Sequence, residues 1–215
     1  MTFDYLIFAG GQLPSLNFTK RLIKICRNII TVDRGAELAL KLKVRPLLHV
    51  GDGDSFSVSR LKKLRASAVL ELSPKKCISD LEFALNQLGQ AKTKVVIGAH
   101  NDLEARPDHG FLNLLLLSRF KNLYFADEKI WATGLVPKRE FSFSAKKNSI
   151  FSIAGLGNPF KASISGSAYD SKSKAFENTT QGLSNLTRSE WTRVKATSPA
   201  LLFVSSNLLQ TNIDD

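Results

Sequence analysis

Cysteine is almost missing from this chain of 215 residues: Cys26 and Cys77 are the whole complement. Two thiols build no disulfide framework, and neither has partners at zinc-ligand spacing. Long apolar runs are missing as well. The longest, residues 111–117, is interrupted by Asn113 and falls far short of the roughly 20 residues that span a bilayer. No basic region precedes the apolar stretch at residues 5–9, so the start of the chain reads as a first strand, not as a signal peptide. G-x-S-x-G and G-x-x-x-x-G-K-[ST] are both lacking, which removes the α/β-hydrolase elbow and the P-loop. These absences predict a cytoplasmic protein with no membrane partner.

What is present is ordinary for a folded chain, 43% hydrophobic and 23% charged, enough for one large or two small domains. The formal net charge of +11 invites anionic partners. Its distribution argues against nucleic acid, because the basic residues are spread in proportion to length and no basic run exceeds two residues.

Up to residue 128 the chain alternates strand and helix signals. Short apolar runs at 5–9, 28–32, 47–50, 68–72, 94–98 and 122–126 read as strands. Between them, helical periodicity is expected at 18–27, 36–42, 58–64, 80–88 and 108–117, the first with Phe18, Leu22, Ile25 and Cys26 on one face. Strands separated by helices imply βαβ units and a parallel, Rossmann-like sheet. After residue 128 the texture becomes short β-like runs (130–133, 140–143, 149–153, 162–166, 191–196, 200–204) between turn-rich stretches. The expectation is an α/β domain at 1–128 and an all-β sandwich domain at 129–215.

The acidic residues fall where an α/β sheet binds ligands. Asp33, Asp52 and Asp54 follow predicted strands, and Asp80 and Asp108 open predicted helices, all beyond carboxyl ends of strands. Five carboxylates converging on one rim repel one another unless a cation sits among them, and oxygen-only ligands favour Mg²⁺ shared with phosphates. Lys75, Lys76 and Arg106 stand beside these acids, and a guanidinium at a helix start suits phosphate. The set describes a magnesium–polyphosphate site. Gly51-Asp52-Gly53-Asp54-Ser55 also resembles the start of haloacid-dehalogenase-type phosphatases, which carry such a D-x-D on the first strand, not the third. His49 and His100 lack ligand-spaced partners and read as structural; Gly155-x-Gly157 reads as a turn.

At these residues the sequence resembles the thiamine pyrophosphokinases. The family's D-G-G-A appears as Asp33-Arg34-Gly35-Ala36, and its G-D-x-D-S is intact at Gly51-Asp52-Gly53-Asp54-Ser55. Its K-D-x-T-D appears as Lys76-Cys77-Ile78-Ser79-Asp80, its G-x-R-x-D-H as Arg106-Pro107-Asp108-His109, and its G-x-S-N as Gly182-Leu183-Ser184-Asn185. The resemblance covers nearly the whole chain in order. It implies a homodimer that transfers pyrophosphate from ATP to the hydroxyl of thiamine with Mg²⁺, giving thiamine diphosphate and AMP, with the active site near the subunit interface.

The resemblance further implies roles. Asp52, Asp54 and Asp80 would hold Mg²⁺; Lys76, Arg106 and His109 would bind ATP, with Asp108 orienting Arg106. Asp33 would lie beside the reacting groups, and Ser184 and Asn185 would help form the thiamine pocket. Arg34 stands at a glycine position, Cys77 at an acidic one and Ala105 at a glycine one, and Leu186-Thr187 lacks the glutamate that often follows. Two other readings stay open: a related pyrophosphokinase acting on a hydroxymethylpterin, and a thiamine-diphosphate-binding relative without catalysis.

Overall fold

The computed structural model describes residues 2–53, 58–73, 75–100, 106–157, 160–177, 180–205 and 208–213. The chain divides into two compact units, residues 2–116 with 125–128, and residues 117–124 with 129–215.

The first unit runs β1 (Phe3–Phe8), α1 (Leu16–Lys24), β2 (Cys26–Val32), α2 (Gly35–Leu42), β3 (Leu48–Gly51), α3 (Val58–Leu64), β4 (Ala68–Glu71), α4 (Asp80–Gln87), β5 (Lys94–Ile97), most of α5 (Pro107–Arg119) and the end of β6 (Leu123–Ala126). β1 pairs in parallel with β2 and β5, β2 with β3, and β3 with β4. The strand order is β6-β5-β1-β2-β3-β4. The central strands bury both faces, and Leu6, Ile7, Phe8, Val95, Val96 and Ile97 are fully enclosed. Such strands read as continuous apolar runs, because helices cover each side of a parallel sheet. Winding proceeds from β1 through β4 in one direction and then restarts on the other side of β1 at β5. The carboxyl ends of β1 and β5 therefore flank a topological switch point, where open α/β sheets bind ligands.

Helix α1 is shorter than its periodicity suggests. Phe18 and Leu22 are buried, but Ile25 closes the helix and is exposed, and Cys26 already belongs to β2. Pairing of Cys26 with Phe3 draws the chain into the sheet and overrides the helical pattern. Ser15 starts this helix, its hydroxyl accepting from the Phe18 N–H at 3.3 Å, while its own N–H donates to the Glu128 carboxylate. At the opposite end of the sheet, Asp4 Oδ2 accepts from the N–H and the hydroxyl of Thr93, both at 3.0 Å. These bonds, led by the backbone one and helped by Lys92 and Arg27, hold the Asp4 carboxyl below its usual range against the burial that opposes them.

The second unit contains β7 (Ile130–Leu135), β8 (Glu140–Ala145), β9 (Ile150–Gly155), β10 (Phe160–Ser165), β11 (Ser171–Phe176), β12 (Asn185–Leu186), β13 (Thr192–Ala196), β14 (Ala200–Ser205) and β15 (Leu208–Ile213). β12, β9, β14 and β7 lie side by side as one set of antiparallel strands, and β11-β10-β13-β8-β15 form the other. Phe143 of one and Phe151 of the other meet edge to face at 5.4 Å, both fully buried. Such a pair contributes about 1 kcal/mol beyond its burial. Three of these strands escape the sequence pattern. β11 is a polar strand with only Phe176 buried, β12 is two residues long, and β15 is held by its pairing with β8.

Candidate active site

The carboxyl ends of the parallel strands deliver the acidic residues one by one. Asp33 follows β2 directly, with φ +50 in the left-handed region that Asp tolerates better than most residues. Asp52 follows β3, and Asp80 opens α4, whose first turn is capped by Ser79 accepting from the Glu82 N–H at 3.2 Å. Each of Asp33, Asp52 and Asp80 places a carboxylate oxygen within 4.8 Å of the others. Asp33 Oδ1 is buried and has no hydrogen-bond partner among the described residues.

Lys76 reaches into this cluster from the preceding turn. Its ammonium stands 2.9 Å from Asp80 Oδ1 and 3.7 Å from Asp52 Oδ2, with the three side chains only 11–18% exposed. Burial works against the ammonium, but Asp80, Asp52 and Asp33 together raise its pKa. Asp33 is pushed up to about 7, first by burial, then by Asp80 and Asp52, with Lys76 acting in the opposite sense.

These groups open onto a cleft of about 480 Å³ at the switch point, floored by Gly10, Gly11 and Gly98 and walled by Asp33, Arg34, Lys76, Asp80, Arg106 and His109. Gly98 has φ +73, and a Cβ there would stand 2.9 Å from the Ala9 carbonyl; the Gly11 N–H bonds the Gly98 carbonyl at 2.9 Å. Only glycine keeps the β1 and β5 loops this close. Asn113 fastens α5 to the same place, its amide donating to the Ala99 carbonyl at 2.8 Å. Asn113 registers in the sequence only as a break in an apolar run, and that break was the available signal.

One expectation changes here. Asp108 does not join the carboxylate cluster; it is exposed and forms a two-pronged pair with Arg106, at 3.1 Å to Nε and 2.8 Å to Nη2. The hydrogen bonds from Arg106 hold its carboxyl down at about 2. The convergence therefore involves Asp33, Asp52 and Asp80, while Asp54 and Ala105 lie outside the described residues. Cys77 is exposed and forms no part of the cluster. His109 lines the cleft with Nε2 3.9 Å from Asp108 Oδ2. His49 is buried beside Thr31 (3.0 Å), and burial lowers its pKa while Asp80 acts in the opposite sense. His100 is buried beside Asp127 at 3.1 Å.

A second cavity of about 540 Å³ lies within the β unit, lined by Phe151, Tyr169, Lys174, Phe176, Leu183 and Asn185 among others. Asn185 is buried, with all its polar capacity engaged. Its carbonyl oxygen accepts from the Tyr169 and Leu186 N–H groups, and its amide donates to Ser167 Oγ and the Tyr169 carbonyl. It shapes the wall without offering a free group. Ser184 is exposed in the left-handed region, its N–H donating to Ser152 Oγ at 3.0 Å.

The sequence profile of the thiamin pyrophosphokinase catalytic domain matches residues 19–131, more than half of the chain. The chain belongs to the thiamin pyrophosphokinase family. Members of that family are ATP-dependent diphosphotransferases. No curated protein sequence matches the chain. Among solved structures it is similar to thiamine pyrophosphokinase from Bacillus subtilis, at 18% identity and TM-score 0.76, over 95% of this chain and 100% of that one. It is also similar to the Candida albicans enzyme, at 16% identity and TM-score 0.75, over 95% and 89%. A third likeness is to the yeast enzyme, at 12% identity and TM-score 0.71, over 97% and 87%. At such identities these are likenesses of fold. No helix among the described residues is long and apolar enough to cross a membrane.

Proposed function

We propose that this chain moves the pyrophosphoryl group of ATP onto the hydroxyl of thiamine, releasing AMP, with the cleft of the α/β unit as the ATP site. The observation that carries this reading is the juxtaposition of three carboxylates, Lys76 and Arg106 at the switch point. The donor set fits Mg²⁺, since hard carboxylate oxygens stand within 4.8 Å of one another and the buried Asp33 Oδ1 is unpartnered. Asp52 and Asp80 would hold the ion, with Asp54 expected beside them from the motif. Bound there, it would neutralise charge on the phosphate oxygens.

The chain's own groups do the rest by position and charge. Lys76 donates to non-bridging phosphate oxygens, held in place by Asp52 and Asp80. Arg106, fixed by its two bonds to Asp108, presents its remaining N–H groups to the phosphate chain, with His109 on the same wall. Asp33 Oδ1 accepts the proton of the attacking hydroxyl, a task suited to a carboxylate near neutrality. The hydroxyl oxygen bonds to the β-phosphorus, the bond to the α-bridging oxygen breaks, and AMP departs with that electron pair.

The cavity of the β unit is the proposed thiamine pocket, with Asn185 as a wall-forming residue and Ser184 beside it. A homodimer is the proposed working form, the β unit of one chain serving the cleft of its partner. Purified protein with ATP, Mg²⁺ and thiamine should yield AMP and thiamine diphosphate in equal amounts. Release of ADP, or no turnover, overturns the reading. Light scattering should give about twice the mass of the chain; a fully active monomer overturns the shared site.

A further inference from the structure

We infer that Arg34 is a specificity-determining residue of the cleft: its guanidinium grips the phosphate chain of the donor nucleotide and sets the preference for a triphosphate over a monophosphate. This rests on the reading of the cleft as the ATP site.

The cations of the cleft are not equivalent. Lys76 is engaged by Asp80 and Asp52, and Arg106 by Asp108. Arg34 lines the same cleft, is exposed, and has no carboxylate partner among the described residues. It precedes α2 with φ −59 and ψ −14, and its side chain caps nothing in that helix. An entering polyphosphate meets a rim whose carboxylates repel it and whose other two cations are already largely neutralised. The unpaired guanidinium is then the strongest net attraction on the chain's side, and its planar fork matches phosphate oxygens.

The backbone leaves this position as the one that can reach inward. Asp33 takes the left-handed turn at the end of β2. Gly35 is pressed against β1 so closely that a Cβ would fall 1.9 Å from the Phe8 carbonyl oxygen. Ala36 is fully buried. Between Asp33 and Ala36, only Arg34 carries a long side chain into the cleft. It stands where the resembled D-G-G-A pattern has a glycine, so the grip belongs to this chain's own residue.

The test is calorimetric titration of the full chain, Arg34→Ala and Arg34→Lys with Mg²⁺-ATP and with AMP, alongside ligand-free melting. Arg34→Ala should weaken ATP binding about tenfold, as expected for a lost charge-assisted contact, and AMP less than about twofold. Arg34→Lys should recover part of the loss, and the ligand-free melting midpoint should not move. Equal weakening of ATP and AMP, or no change in either, overturns the inference. Binding is read without thiamine, so the result is independent of whether thiamine is turned over.

Discussion

Asp33 in the α/β unit and Asn185 in the β unit are treated in opposite ways. In the first, Asp33, Asp52 and Asp80 crowd together, with Asp33 Oδ1 buried and unpartnered among the described residues. In the second, Asn185 has a partner for each of its polar sites, and Thr187 both accepts from the Ser149 N–H and donates to the Lys146 carbonyl. Crowded carboxylates destabilise a ligand-free fold even with Lys76 beside two of them, whereas completed hydrogen bonds contribute about 1 kcal/mol each. A site that must receive a cation and phosphates keeps part of its negative charge uncompensated until they arrive, three carboxylates standing against the one ammonium of Lys76. A pocket wall does the reverse and completes its bonds in advance.

The largest effect should separate chemistry from stability. Asp80→Ala should lower kcat/KM for AMP release by about a thousandfold, as removal of a charge-stabilising group does, with little change in the denaturation midpoint without metal. A midpoint that collapses together with activity would show that the cluster holds the fold, and would erase the contrast.

Close packing should weigh on the two units alike. A Cβ at Gly35 would meet the Phe8 carbonyl oxygen at 1.9 Å, and one at Gly134 would meet that of Leu117 at 1.9 Å. Each alanine variant should lose about 3 kcal/mol in denaturant titration, since backbone must move to admit the methyl group. Wild-type stability for either would show that the approach yields freely.

Opposite signs are expected where polar groups differ. Asn185→Ala should cost about 2 kcal/mol, because the Tyr169 and Leu186 N–H groups lose their acceptor. Asp33→Asn should instead stabilise the metal-free protein at pH 8, by about 1 kcal/mol. The Asp33 pKa is raised from 3.8 to about 7 in the fold, so the folded chain binds the extra proton between those values. That contribution is fully present below pH 4 and is lost as pH rises through 7. Denaturation in chelator at pH 5 and pH 8 checks it; a parent protein without this slope shows that Asp33 ionises without cost.

The smallest effect lies at the far end of the α/β sheet. Asp4 is held below its usual pKa by Thr93, so its contribution is present above the unfolded value and fades as pH falls through the folded one. Asp4→Asn should cost about 1 kcal/mol at pH 7. The difference from the parent should shrink toward pH 2, and a constant difference would show that packing, not charge, is lost.

The order of strands and helices in the α/β unit, and the placement of Asp33, Asp52, Asp80 and Asp108 after strand ends, are legible in the sequence. Both follow from apolar periodicity and from turn residues a few positions apart, which act locally. The sequence motif also places Lys76 four residues before Asp80, but it is the turn ahead of α4 that brings the two side chains together. The polar strand β11 and the end of α1 at Lys24 were not legible, because pairing across the sheet decided them against local pattern. Only the tertiary structure brings Asp33, Asp52 and Asp80 together and leaves Asp108 apart, tied to Arg106. Only it shows Arg34 without a carboxylate partner among the described residues, beside cations that have one. Convergence and charge compensation depend on strand order and on distances between residues far apart in the chain, and no spacing along one segment encodes them.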